Sequence, residues 1–181
     1  TSGGQPMKAR HLVVLPNGDI FVAVNPNGST QPANGIIGLR DTDGDGIADQ
    51  QTAFSAGVGG NGIAWSDGAL YFGANDRILR YTLPQGQLTP TGTPQTVVSG
   101  LPATGDHVSK SIVVSGTDLF VSIGSASNSC QQQNRQAGSP GVNPCPELAD
   151  RAGVWKFDAG GVNQTGGAAT RFAQGYRNLV A

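Results

Sequence analysis

The densest run of hard oxygen ligands in the chain is Asp41-Thr42-Asp43-Gly44-Asp45-Gly46-Ile47-Ala48-Asp49. Counted from Asp41, acids stand at positions 1, 3, 5 and 9, and glycines at 4 and 6 let the backbone bend around a small centre. Asp41, Asp43, Asp45 and Asp49, with the carbonyl of Ile47, therefore match a calcium loop. Position 12 is Thr52 instead of the bidentate glutamate of an EF-hand, and no helical pattern flanks the run. The expectation is a free-standing structural Ca2+ loop of lowered affinity; the competing reading is an acidic turn between two strands.

His107 is one of only two histidines and follows Gly105-Asp106. A neutral imidazole there can take a proton from a hydroxyl near physiological pH, and Asp106 either tunes it or stands as an exposed loop acid. In Gly175-Tyr176-Arg177-Asn178 a guanidinium fork sits beside an amide, a pair suited to clamping a carboxylate or quinone oxygen. A surface ion pair for Arg177 is the alternative.

The elements that must position these residues appear as an internal repeat. Three segments align without a gap, beginning at Val13, Ile63 and Ile112, which are 50 and 49 residues apart. Each is a short apolar strand, a polar turn with glycine, and a second strand of aromatic and branched residues, the pattern of a β-hairpin. A third strand is expected at 36–40, 78–82 and 154–158, and a fourth element at 54–58, 97–101 and 172–176. Four strands per repeat of about fifty residues predicts an all-β chain, a β-propeller of four-stranded blades, with a β-sandwich as the alternative. The whole of 1–181 reads as one partial propeller domain, its blades at about 11–58, 61–101 and 107–176, with a fourth begun at 177–181. Three blades cannot close a ring, so the remaining blades are expected from the same or a second chain.

In a propeller the first strand of each blade lines the axis, and the residues leading into it form the channel mouth. Registering the repeats on Val13, Ile63, Ile112 and Val180 puts His11, Asn61, Lys110 and Asn178 at equivalent places, two before each anchor. Such a rung of donors suits an anionic or carbonyl-rich ligand, although channel mouths are wet and polar in any case.

Composition narrows the partners. With 11 basic against 12 acidic residues and no cationic cluster, nucleic acid and anionic membranes are disfavoured. No run of 18 apolar residues offers a membrane span, and the first ten residues lack the apolar stretch of a signal peptide, so any such signal has been removed or omitted. Cys130 and Cys145 lie in a polar loop with little core of its own, where a disulfide would brace the segment; two reduced thiols are the other possibility. The sequons at Asn27 and Asn163 fit a secreted protein but arise often by chance. A secreted, extracellular or periplasmic chain is expected.

Four stretches together resemble the sorbosone dehydrogenase and soluble quinoprotein glucose dehydrogenase group. They are Arg40-Asp41-Thr42-Asp43-Gly44-Asp45-Gly46; His107-Val108-Ser109-Lys110-Ser111-Ile112-Val113; Leu119-Phe120-Val121-Ser122-Ile123-Gly124-Ser125-Ala126-Ser127-Asn128-Ser129-Cys130; and Gly175-Tyr176-Arg177-Asn178. The resemblance implies a six-bladed propeller that oxidises a sugar or aldehyde hydroxyl with pyrroloquinoline quinone (PQQ) as hydride acceptor, and an external electron acceptor such as a cytochrome or dye. It implies that His107 is the general base and that Arg177 and Asn178 contact the cofactor. Lys110 and Asn61 join them as cofactor-binding candidates from the repeat register alone. A catalytic calcium belongs, by the same resemblance, to residues beyond this chain and is distinct from the loop at 41–49. A propeller that binds carbohydrate or protein without catalysis is the alternative from another class. A metal-dependent lactone hydrolase ranks last, because Asp106 is the sole acid near the expected mouth.

Overall fold

In a computed structural model, the structure describes residues 8–25, 35–55 and 59–180. The Asn27 sequon and residues 56–58 of the first expected fourth element lie outside them. Three sheets form, each a meander built outward from its first strand. The first runs β1 (Lys8–Val14), β2 (Ile20–Asn25), β3 (Gly35–Arg40) and β4 (Gln50–Ser55). The second runs β5 (Gly60–Ser66), β6 (Ala69–Ala74), β7 (Ile78–Thr82) and β8 (Thr91–Ser99). The third uses β9 (Ile112–Ser115), β10 (Asp118–Ile123), β11 (Gly153–Asp158) and β13 (Arg171–Gln174). Between β11 and β13 the chain reaches across as β12 (Gln164–Thr165) and pairs in parallel with β8, tying the third sheet to the edge of the second.

None of the sheets closes on itself. They stack side by side, with β5 packed against both β1 and β9, so the first strands gather along one line as in a propeller. The hairpin turns sit where the repeat puts them, and Gly18, Gly68 and Gly116 take φ of 88°, 74° and 58°, conformations that cost a side chain strain.

The core follows from the period of two along each strand. On the middle sheet Ile63, Leu70, Phe72, Leu79 and Tyr81 face the first sheet and meet Phe21 and Ile36. Ala64, Tyr71, Ile78 and Val97 face the third and meet Ile112, Leu119, Val121, Trp155 and Phe157. Within the first sheet, Asp19 is buried at 1% exposure and is gripped by Arg40, whose Nε and Nη2 donate to its two oxygens at 2.7 and 2.6 Å. That guanidinium, ahead of Asn17, holds the Asp19 carboxyl below the usual carboxylate range.

The third strands lie at the expected places, as does β13, the fourth of the last unit, but the other two fourth strands begin early. β4 starts at Gln50 and β8 at Thr91, several residues before the expected 54 and 97. Both are solvent-facing outer strands, so their polar beginnings carry no alternation of apolar residues.

Candidate functional site

Three loops meet at the end of the third sheet where the chain approaches β9, leaves β10 and leaves β13. The Asp106 N–H donates to the Ala126 carbonyl, and the Ser125 N–H to the Arg177 carbonyl, both at 2.8 Å. Gly124, at the end of β10, is the point of closest approach. A Cβ there would lie 2.5 Å from the Cβ of His107 and 3.2 Å from Oδ1 of Asn178. His107, Arg177 and Asn178 thus come together around residues 124–128.

The partner of His107 is a residue that no sequence argument singled out. Nδ1 of His107 lies 3.0 Å from both Oγ and the carbonyl oxygen of Ser125. Ser125 Oγ gives its one proton to the Ser127 carbonyl at 2.7 Å, so towards the imidazole it can only accept. Both neighbours of Nδ1 are acceptors, which assigns the proton of the neutral ring to Nδ1 and leaves the lone pair on Nε2. This is the form a general base needs. Asp106 does not tune it by direct contact: its carboxylate takes Asn134 Nδ2 at 3.1 Å and Arg135 Nε at 3.0 Å. The bond from Asn134, followed by the pairing with Arg135, holds Asp106 below the usual carboxylate range.

Arg177 is aimed by Asn128, receiving its Nε on the carbonyl at 2.8 Å and its Nη2 on Oδ1 at 2.6 Å. Among the described residues its Nη1 makes no hydrogen bond, and Arg177 and Asn178 are both exposed, so each keeps donor capacity for a ligand. A cavity of about 220 Å3 opens beside Arg177, lined by Ser125, Asn128, Tyr176, Arg177 itself and the expected Cys130–Cys145 disulfide. It is smaller than the roughly 300–1,000 Å3 of sites for drug-sized ligands, so further residues must complete any cofactor site. A roomier cleft, of about 400 Å3 around Leu15, Trp65 and Leu83, lies at the hairpin-turn end and contains none of the candidates.

The rung of four takes another form from the one expected. Register shifts place Asn61 as the extra residue of a bulge between Gly60 and Gly62, and a matching shift between Ala9 and Leu12 takes in His11. Both residues sit where the first strand breaks its ladder. Lys110, however, is fully buried and turns its ammonium onto the carbonyls of Pro102 at 2.8 Å and of Val108. Burial, reinforced by Arg151, lowers its pKa to about 8. It braces the approach to β9 instead of presenting a charge to the mouth. Oδ1 of Asn61 is buried without a hydrogen-bond partner among the described residues. No hydrogen bond joins the four among the described residues.

The acidic loop lies elsewhere, between β3 and β4, and its residues are exposed. Asp41, Asp43 and Asp49 bring carboxylate oxygens within 4.8 Å of one another, close enough to share one cation. Asp45 does not join that group, and its Oδ1 accepts the Ile47 N–H at 2.7 Å. The Gly46 and Gly44 N–H groups cradle Asp41 and hold it below the usual carboxylate range. The backbone N–H of Thr42, then its hydroxyl, does the same for Asp49.

No family model matches the chain, and no curated protein matches its sequence. Solved structures do match its fold. The holo form of the pyranose dehydrogenase PQQ domain from Coprinopsis cinerea is similar over 94% of this chain and 39% of that one, with a TM-score of 0.70 and 16% identity. A Trichoderma reesei carbohydrate-active enzyme of family AA12 is similar in an iodide structure, with a TM-score of 0.65 and 18% identity over 90% of this chain and 41% of that one. Its calcium structure gives 0.64 and 19%, over 87% and 38%. The chain shares their fold and spans about two fifths of their length.

Proposed function

We propose that this chain is part of an oxidoreductase that oxidises a hydroxyl of a sugar or aldose with PQQ as hydride acceptor. The observation that carries this reading is the meeting of His107, Arg177 and Asn178 around Gly124, with the imidazole held so that Nε2 is the free acceptor. The shared fold supports it, since one neighbour is a pyranose dehydrogenase PQQ domain.

The residues fit an anionic quinone. Arg177 keeps exposed donors at the cavity, and Asn178 keeps an exposed amide beside His107 and Gly124. When bound, the cofactor would supply the redox chemistry, taking up the hydride of the substrate's C–H bond. Nε2 of His107 takes the proton of the substrate hydroxyl, and the resulting imidazolium keeps its Nδ1–H on the two Ser125 oxygens. Arg177 and Asn178 orient the anionic partner, with Arg177 itself held by Asn128. An external electron acceptor, a cytochrome or a dye, reoxidises the system.

Three further assignments belong to the same reading. Asp41, Asp43 and Asp49 hold a structural calcium ion, with Asp45 and the Ile47 carbonyl in reach of the same loop. Further blades, bringing the total to about six, cover the outer faces of the first and third sheets. The disulfide fits an extracellular or periplasmic protein, and among the described residues no helix is long and apolar enough to cross a membrane.

The test is reconstitution of the full-length protein with PQQ and calcium, followed by sugar-dependent dye reduction. His107→Ala is expected to lower turnover by about 10²- to 10⁴-fold, the usual contribution of a general base. Unchanged turnover in that variant removes the base assignment, and sugar binding without any turnover favours the non-catalytic propeller.

A further inference from the structure

Residues 125–128 carry the partners of both candidate groups: Ser125 meets His107, and Asn128 meets Arg177. This short segment has no regular structure and is held at its start by the main-chain bonds of Ser125 and Ala126. Its further anchor is Glu147, two residues after Cys145 in the 3-10 turn Pro146–Ala149. Its Oε2 accepts the Ala126 N–H at 2.8 Å and the Ser127 N–H at 3.3 Å, and its Oε1 accepts the Ser127 hydroxyl. Ser127 Oγ in turn accepts the Cys130 N–H at 2.9 Å. The carboxylate therefore grips the main chain just before one cysteine of the disulfide from just after the other.

We propose that Glu147 is a positioning residue for the candidate base, gripping Ala126 and Ser127 so that Ser125 stays against Nδ1 of His107 and Asn128 against Arg177. The inference rests on the assignment of His107 above, but its structural content is independent of turnover. Charge-assisted hydrogen bonds from two main-chain N–H groups and a hydroxyl fix a segment more firmly than neutral ones. Without them the two Ser125 acceptors move off Nδ1, and the neutral ring is free to carry its proton on either nitrogen.

The experiment uses the full-length protein labelled with ring-15N histidine, His107 being assigned by the signals lost in His107→Gln. Wild-type His107 in its neutral form is expected to show a protonated Nδ1 and a bare Nε2. Glu147→Gln is expected to mix the two tautomers. In the reconstituted enzyme the same variant should lose about 10- to 100-fold in kcat, the scale on which orienting partners act. Ser127→Ala, a milder change should Glu147→Gln not fold, is expected to move both readouts part of the way, and Ser127→Thr to restore them. A wild-type tautomer in folded Glu147→Gln, or in Ser127→Ala where Glu147→Gln does not fold, overturns the proposal; so does a wild-type ring protonated on Nε2. Full turnover in His107→Ala removes the catalytic reading while leaving the tautomer result to stand or fall alone.

Discussion

At the scale of single residues, the site depends on atoms that are missing as much as on those present. Gly124 is the clearest case, because a Cβ there would reach 2.9 Å from the His107 carbonyl as well as 2.5 Å from its Cβ. Neither is the tip of a flexible side chain, so Gly124→Ala must push the backbone of the base aside. Overpacking of this kind costs about 1–3 kcal/mol, which a stable fold tolerates. Displacing a reacting group by about 1 Å costs on the order of 10²-fold in rate. The expected outcome is a folded protein, by circular dichroism and thermal melting, with about 100-fold lower kcat after reconstitution. Near wild-type kcat would show that the close approach does not position His107. Residue type alone misleads at Lys110, which reads as a channel donor yet spends its ammonium on two carbonyls. Ser125 and Glu147 give the opposite lesson. A serine and a glutamate in polar loops carry no local signal, and their importance comes from contacts across 18 and 20–21 residues of chain.

Elements were legible in proportion to how much apolar surface they bury. The hairpins of each repeat stand out because strands one and two carry aromatic and branched residues at fixed spacing, and in the middle sheet both faces are buried against its neighbours. In β8 the run Thr91-Gly92-Thr93-Pro94-Gln95-Thr96 is largely exposed, and only Val97 and Val98 are buried, so the visible signal covers the end of the strand alone. The crossing of β12 to β8 had no signal at all, being two residues that pair through their backbone. The acidic loop was legible for a different reason, since ligand spacing is itself a pattern. Its prediction belongs at this scale: calcium bound only by the folded loop stabilises the protein by RT ln(1 + [Ca2+]/Kd), about 2.7 kcal/mol at a hundredfold excess over Kd. Thermal melting of the full-length protein should therefore shift upward with calcium and back with chelator, and Asp41→Asn with Asp43→Asn should abolish most of the shift. A melting temperature indifferent to calcium in wild type would leave the loop an acidic turn.

At the scale of the whole molecule, the two outer faces remain to be accounted for. On β1, Val13 packs inward, while Leu12 and Val14 on the other face are 59% and 56% exposed. The far side of the third sheet likewise shows Val113, Phe172 and Val180, the last two at 64% and 72% exposure. Solvated sheet faces carry polar residues at such positions, so these are surfaces built to be covered, as further blades would cover them. On the proposed function, further blades would also enlarge the cavity beside Arg177 and supply a partner for Oδ1 of Asn61, which has none among the described residues. Leu12→Lys separates a covered face from a wet one. An exposed site tolerates such a change within about 0.5 kcal/mol, whereas a buried leucine contributes roughly 1.5–3 kcal/mol by its transfer from water alone, and an unpaired charge adds to the loss. Urea unfolding of the full-length protein carrying Leu12→Lys should show a loss of at least about 2 kcal/mol. A change within the exposed-site range would mean that no further blade packs on β1.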